Sequence, residues 1–574
     1  MRRRRDSVSV AFAGSGGAGV VTAGNLLLEA AARAGYYALM TRTSGPQIRG
    51  GESAAALRVA TFPCESPDDR VQLLVALDWN NVQRFAAELP LGPESIVVHD
   101  PAQGAIPEVF GASGARIVPL PMKEIAKSVP GGWPNMVAFG AAAQLLGLPQ
   151  AVLDAALAAV MQKGDAARTA SLAAARAGAE VAAGVALDWA LAPAAAPAER
   201  WLITGNQAAG LGALRGGVRF VAAYPITPAT ELLEWMAPAL DAVGGILVQA
   251  EDELASINMV LGASFGGVPA LTATSGPGLS LMVESLGLGV AAELPVVVID
   301  VMRTGPSTGI ATKSEQADLN LALYGVHGDA PHLVLAPNSV ADCLYTTQWA
   351  VALAERLQVP AIVLSDQFLG QARAVVDRPA DLAFASERLL ATAHEPGYRR
   401  YALTPSGLSP MALPGTPGLA YVAEGLAHTE RGTPSSAAAD QLAQLDKRAR
   451  KLARADFGAH WASVEGEDTE LAVITWGSTT GAVREACRRA AADGLALRLI
   501  SLRLLSPPQP ERLAAALGRA RRALVVEQSH SGQLLRYLRA EYALAAELKS
   551  LRKPGPNPFR PEEVHRALVE WGRA

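Results

Sequence analysis

VAAYPITPATE, Val221 to Glu231, decides how the rest of the chain is read. Apolar Phe220-Val221-Ala222-Ala223 reads as a strand end, Pro225 and Pro228 forbid helix there, and Thr230-Glu231 opens an amphipathic helix through Leu232, Leu233 and Met236. A stiff loop therefore leaves a strand and enters a helix. Its prolines fix the backbone, so Tyr224, Thr227 and Thr230 present hydroxyls from a frame that loses little entropy when a ligand arrives. A loop of this kind at the carboxyl end of a strand predicts a ligand site in an α/β domain.

Working outward, Val268 to Thr274, Pro295 to Val301 and Pro360 to Ser365 read as further buried strands, which gives a doubly wound α/β domain over 199–376. Glu251-Asp252-Glu253 stands where a helix follows the strand Ile246 to Gln249, and an acidic triplet there also suits the helix macrodipole. Ser275-Gly276-Pro277-Gly278 begins another helix and lets backbone approach a ligand closely. Arg303 follows the strand PVVVIDVM, with Ser307, Thr308 and Thr312 on the next loop. A guanidinium so placed is either an ordinary surface ion pair or a planar, permanently charged fork for a carboxylate, and Gly305-Pro306, which bends the chain back, favours the second.

YPITPATE, EDELASINMVLGASFGG from Glu251, TATSGPGLSLM from Thr272 and RTGPSTGIATKSEQADL from Arg303 follow one another in an order that resembles the α subunit of the 2-oxoacid:ferredoxin oxidoreductases. The resemblance extends over nearly the whole chain and implies thiamine diphosphate as cofactor and coenzyme A as co-substrate. It implies that Glu253 meets the thiamine ring nitrogen N1′, with Glu251 as second choice, and that Pro225, Ile226, Ser275 and Gly276 line the cofactor. It also implies that Thr227 donates to the 2-oxoacid and that Arg303, Thr312 and Tyr224 help bind it.

A G-D-G motif for the diphosphate and magnesium is absent: Gly164-Asp165-Ala166 and Gly328-Asp329-Ala330 lack the second glycine. The resemblance therefore implies a separate β subunit that holds Mg2+, the diphosphate and a [4Fe-4S] cluster, with ferredoxin as electron acceptor and an (αβ)2 heterotetramer as the assembly. Cys64, Cys343 and Cys487 cannot supply four thiolates, and neither they nor the histidines have metal-ligand spacing, so no metal is expected in this chain. The form of the motifs, with VVEQSHSGQ from Val525, looks most like members acting on 2-oxoglutarate; pyruvate or a branched 2-oxoacid is the alternative. A reading of another class is a non-catalytic assembly or ligand-binding subunit. No residue declares itself for a distal carboxylate, which is expected in β or near Arg399 and Arg400.

The N-terminal residues 1–191 read as an open α/β unit similar to the γ subunit of the same family. Val8 to Ala13 feeds Gly14-Ser15-Gly16-Gly17-Ala18-Gly19, strands follow at Tyr37 to Met40, Leu73 to Leu77, Ile96 to His99 and Ile117 to Leu120, and helices at Asn135 to Leu146 and Ser171 to Ala190. Gly14, Gly16, Gly17 and Arg49 are the candidates for coenzyme A, through close backbone approach and free amides at a helix start. A Pro/Ala joint at 192–198 separates this unit from the next. Residues 377–468 lose apolar periodicity, include the basic helix Gln441 to Ala453, and read as a whole as a cap or arm against a partner subunit. Residues 469–574 resemble the transketolase C-terminal domain.

At 574 residues the chain is too long for one core. A net charge of −4 disfavours nucleic acid as a partner, and the dense basic run Arg2 to Arg5 reads as a solvated tail. Gly14, Gly16 and Gly17 interrupt the first apolar run before it could serve as a signal peptide, and no apolar span of about 20 residues crosses a bilayer. A cytoplasmic location is expected.

Overall fold

The computed structural model describes residues 3–45, 51–161, 164–194, 199–393 and 396–573. Strands and helices gather into two compact units, of which the first comprises Met1–Thr204, Gln371–Ala380 and Phe559–Val564. Its sheet runs in the order Arg116–Pro119, Ile96–His99, Leu73–Ala76, Ser7–Ser15, Glu52–Ala60, Tyr37–Ser44, Arg373–Asp377, Arg200–Thr204. The first four strands are parallel, and every pairing beyond Ser7–Ser15 is antiparallel. Side chains alternate across the Ser7–Ser15 strand. Val8, Val10 and Phe12 join Leu26, Leu27 and Phe139 in one core, while Ala11 and Ala13 join Leu74, Trp79 and Phe85 in another.

Several sequence expectations change here. Glu52–Ala60 is a strand that the small residues of ESAAALRVA did not announce. The helix expected over Ser171 to Ala190 spans Asp165–Ala182 and gives way to a strand, Trp189–Leu191. That strand pairs in parallel with Arg3–Arg5, and Arg5 also bonds the Glu94 carboxylate, so these arginines are not a loose tail. Most of the Pro/Ala joint lies outside the described residues. Beyond it, Arg200–Thr204 pairs with Arg373–Asp377 inside the first unit's sheet, so boundaries at 192–198 and 376 cut across strand pairing.

The second unit comprises Gly205–Gly370, Asp381–Pro558 and His565–Ala574. One sheet runs Ile246–Gln249, Phe220–Ala223, Ala270–Thr274, Val297–Met302, Ala361–Asp366, Leu333–Leu335, Leu504–Ser506, all parallel except the last. A second sheet runs Ala462–Gly466, Arg498–Leu502, Leu471–Trp476, Arg522–Glu527, Glu547–Arg552, with the first strand antiparallel. It therefore begins at Ala462, ahead of the expected start at 469.

The basic helix is Ala438–Ala453, and its charged face is spent inside this unit. Lys447 and Lys451 are buried against the fully buried Glu293; Lys451 Nζ lies 3.0 Å from Glu293 Oε2, and Lys447 bonds the other oxygen. The expectation of an arm against a partner subunit does not hold for these side chains. Arg400 is buried too, donating to the carbonyl of Glu293 at 2.8 Å, and is no free group for a distal carboxylate.

Candidate functional site

The parallel strands of the second unit create the site. Phe220–Ala223 has its successor Ile246–Gln249 on one side and Ala270–Thr274 on the other, so the order of the chain reverses there. Ligands of open α/β sheets bind in the crevice outside the carboxyl ends of strands at such a reversal. Residues 224–229, Glu253, Ser275-Gly276 and Arg303 all leave the carboxyl ends of these strands.

Each acid of the triplet has its own fate. Glu251 is exposed, Asp252 caps the helix Glu253–Phe265 by accepting from the Ala255 N–H at 2.7 Å, and Glu253, the first helical residue, is buried. Gly278 makes room for it: a Cβ there would lie 2.0 Å from Thr274 Oγ1 and 2.8 Å from Glu253 Oε1. Thr272 Oγ1 and Ser275 Oγ are buried and lack a hydrogen-bond partner among the described residues. Buried hydroxyls without a partner are donors and acceptors open to a polar ligand.

Arg303 ties the crevice together. Its Nη1 donates to the Thr227 carbonyl at 2.7 Å, so the fork is partly used in joining two loops, and its buried Nε has no partner among the described residues. Burial lowers the guanidinium's proton affinity, while Asp318 and Asp300 oppose that effect. Arg303, Gly276, Ser307, Asp318 and His530 line one cleft of about 400 Å³. Of the other sequence candidates, Tyr224 is exposed, and Pro225, Ile226 and Thr227 are half-buried. Thr312 is half-buried and is not part of the cleft wall.

Two acids were not picked out from the sequence. Asp300 is fully buried in the Val297–Met302 strand, and Asp318 precedes the helix Leu319–Tyr324. The two influence each other's charge: burial, then Asp318, pushes Asp300 well above the usual carboxylate range, and burial pushes Asp318 up to about 6. The available signal was an aspartate inside the otherwise apolar PVVVIDVM.

In the first unit, Gly14 ends in the Ser7–Ser15 strand, the Gly16 N–H bonds the Gly51 carbonyl, and Gly17 has φ +93°, where a glycine is favoured. Asp78 braces this loop, accepting from Ser15 N at 3.0 Å and Ser15 Oγ at 2.7 Å. Arg49 lies outside the described residues. Among the described residues no group of three or more His, Cys, Asp or Glu side chains could hold a metal ion, and no helix is long and apolar enough to cross a membrane.

This chain is 32% identical to the 2-oxoglutarate oxidoreductase subunit KorA of Mycobacterium tuberculosis, over 99% of this chain and 92% of that one. It belongs to the 2-oxoacid:ferredoxin oxidoreductase family. Its sequence matches the family described as pyruvate flavodoxin/ferredoxin oxidoreductase, thiamine diP-bdg, over residues 211–448. Pyruvate ferredoxin/flavodoxin oxidoreductase matches over 9–181, and the transketolase C-terminal domain over 460–533. A solved structure described as 2-oxoglutarate:ferredoxin oxidoreductase from Magnetococcus marinus with 2-oxoglutarate, coenzyme A and succinyl-CoA bound superposes with a TM-score of 0.92, at 35% identity, covering 99% of this chain and 100% of that one. The 2-oxoacid:ferredoxin oxidoreductase subunit alpha of Saccharolobus solfataricus is 28% identical over 98% of each chain. The α/β architecture expected from the sequence, with thiamine-binding and transketolase C-terminal-like parts, is that of this oxidoreductase family.

Proposed function

We propose that this chain is the catalytic α subunit of an enzyme that converts 2-oxoglutarate, coenzyme A and oxidised ferredoxin to succinyl-CoA, CO2 and reduced ferredoxin. The observation that carries the reading is the buried Glu253 at a helix start, held against Gly278 in the same strand-end crevice as the Arg303–Thr227 contact. The whole-length likeness to an oxidoreductase solved with 2-oxoglutarate and succinyl-CoA supports the substrate. Thiamine diphosphate, when bound, would supply the nucleophilic carbon for the 2-oxo group and the electron sink that takes up the electron pair left when CO2 departs.

The residues fit that cofactor. Glu253, buried at the start of its helix, is the acid to hold a proton at the ring nitrogen N1′. Ser275 Oγ, buried and unpaired, is a hydroxyl free to meet the ring, with Pro225 and Ile226 on the stiff loop beside the crevice. Arg303 binds the carboxylate next to the 2-oxo carbon with the part of its fork that Thr227 leaves free, and Thr227 Oγ1 donates to the 2-oxo group. With no G-D-G in the chain, the diphosphate, Mg2+ and the [4Fe-4S] cluster are assigned to a β subunit, in an (αβ)2 assembly that works in the cytoplasm with ferredoxin.

The test is Glu253→Gln in the complex with its partner subunit. The amide cannot hold a proton at N1′ as the acid does, so deuterium exchange at C2 of the bound cofactor should slow about 100-fold or more. Assembly, followed by gel filtration, should persist. Unchanged exchange in this variant, with loss in Glu251→Gln, would move the role to Glu251.

A further inference from the structure

Asp300, fully buried, and Asp318, half-buried, form a pair that the proposed reaction leaves unused. No N–H or hydroxyl among the described residues satisfies either Asp300 oxygen or Asp318 Oδ2. Two carboxyl groups in contact without another donor are joined by a proton they share. Gly276 preserves the arrangement, since a Cβ there would lie 2.6 Å from Asp318 Oδ2. Asp318 is also on the wall of the cleft that Arg303 lines. The other titratable groups facing this wall are Glu315 and, from the loop before the Gln533–Glu541 helix, His530; Glu253 lies beyond Gly276 at Gly278.

We propose that Asp300 and Asp318 are positioning residues that set the charge around Arg303, so that binding of a 2-oxoacid carboxylate draws a proton onto the pair. The proposal rests on the reading of Arg303 as the carboxylate-binding group. With one proton between them, the acids carry a single negative charge and balance Arg303. An arriving carboxylate adds a second negative charge in a poorly solvated wall, where like charges raise each other's proton affinity. Asp318, on the cleft wall, takes the proton, and Asp300 stays protonated behind it. Asp318 lies near 6 before substrate arrives, raised chiefly by burial. The complex raises it further, so affinity is greatest below that value and declines as pH rises through the raised value.

The probe is N-oxalylglycine, which carries the carboxylate next to a carbonyl but is not decarboxylated, binding to the complex with its partner subunit. A rise of about one pKa unit at Asp318 predicts a dissociation constant that climbs about tenfold between about pH 5.5 and pH 8. Calorimetry in two buffers of different ionisation enthalpy should record net proton uptake, and infrared difference spectra in D2O should gain a protonated-carboxyl band. Asp318→Asn should remove the uptake and flatten the pH profile. Asp300→Asn should keep the uptake, because its amide still donates to Asp318.

Wild-type binding without proton uptake or a new carboxyl band overturns the proposal even if Asp318→Asn fails to fold. Uptake that survives Asp318→Asn but is lost in Glu315→Gln also overturns it. Arg303→Leu separates the two readings: unchanged N-oxalylglycine binding defeats the assignment of Arg303, whereas weakened binding with no uptake in the wild type defeats the acid pair alone.

Discussion

Arg303 Nη1 donates to the Thr227 carbonyl at 2.7 Å, and the proposed reading gives the rest of its planar fork to a carboxylate. If that carboxylate is the one next to the 2-oxo carbon, all 2-oxoacids share the contact, and Arg303→Leu should lower kcat/KM for 2-oxoglutarate, pyruvate and 2-oxobutyrate together. Each lost charge-assisted bond is worth roughly 1.5–3 kcal/mol, about tenfold to 150-fold. Lysine should rescue in part, since a point charge cannot hold Thr227 and the substrate in the same geometry. A fall confined to 2-oxoglutarate would instead mean that Arg303 reads a distal carboxylate. Arg303 stands out in the sequence as a guanidinium directly after an apolar strand, whereas Thr227 and Glu253 are singled out there by the family resemblance of their motifs. Asp300 and Asp318 were not legible as a pair: one looks like a strand interior, the other follows a loop, and only folding brings them into contact.

The Ala438–Ala453 helix shows what amphipathic pattern leaves open. Its sequence declares a basic face, but the partner of that face, Glu293, lies far away in the chain, and burial of lysines cannot be read from their spacing. Burial would raise Glu293, yet Lys451, Lys447 and Arg400 hold it well below the usual carboxylate range. Burial lowers Lys447 to about 8 in spite of the ion pair, as expected where a single carboxylate serves several cations. The two shifts have opposite consequences. Glu293, with its folded value depressed, contributes stability present above its ordinary value of 4.5 and lost as pH falls below it. Lys447, depressed as a base, opposes folding at neutral pH, and that cost fades as pH rises above about 8. Glu293→Gln strands the lysines without a counter-charge and should cost about 3–5 kcal/mol. Thermal unfolding from acid to neutral pH should show a lower Tm at neutral pH and a shallower acid dependence in the variant; an unchanged Tm would mean that the cluster adds nothing.

At the scale of the molecule, local pattern located the alternating α/β segments but not how they are shared. The Pro/Ala stretch suggested a clean joint, yet Arg200–Thr204 and Arg373–Asp377, both beyond it, complete the sheet built by Ser7–Ser15, Glu52–Ala60 and Tyr37–Ser44. Arg373 Nη1 adds a hydrogen bond to Asn25 Oδ1 at 2.7 Å, and Tyr37 donates its hydroxyl to Asp377 at 2.8 Å. Arg560 donates to the Glu88 carbonyl at 2.9 Å from still further along the chain. Pairing across such sequence distances leaves no trace in a window of neighbouring residues. It has a direct consequence for cutting the chain. A protease site placed within 195–198 and cleaved under native conditions should leave the two fragments together, because the ladder from Tyr37–Ser44 to Arg373–Asp377 joins them without the linker. Expressed alone, residues 1–198 would expose Tyr37–Ser44 as an unpaired edge, which invites association with other chains. Native gel filtration should therefore show the nicked protein eluting as the intact one, and the isolated 1–198 fragment eluting as aggregate. Fragments that separate after cleavage, or a monomeric 1–198 fragment, would show that these two strands are dispensable to the first unit.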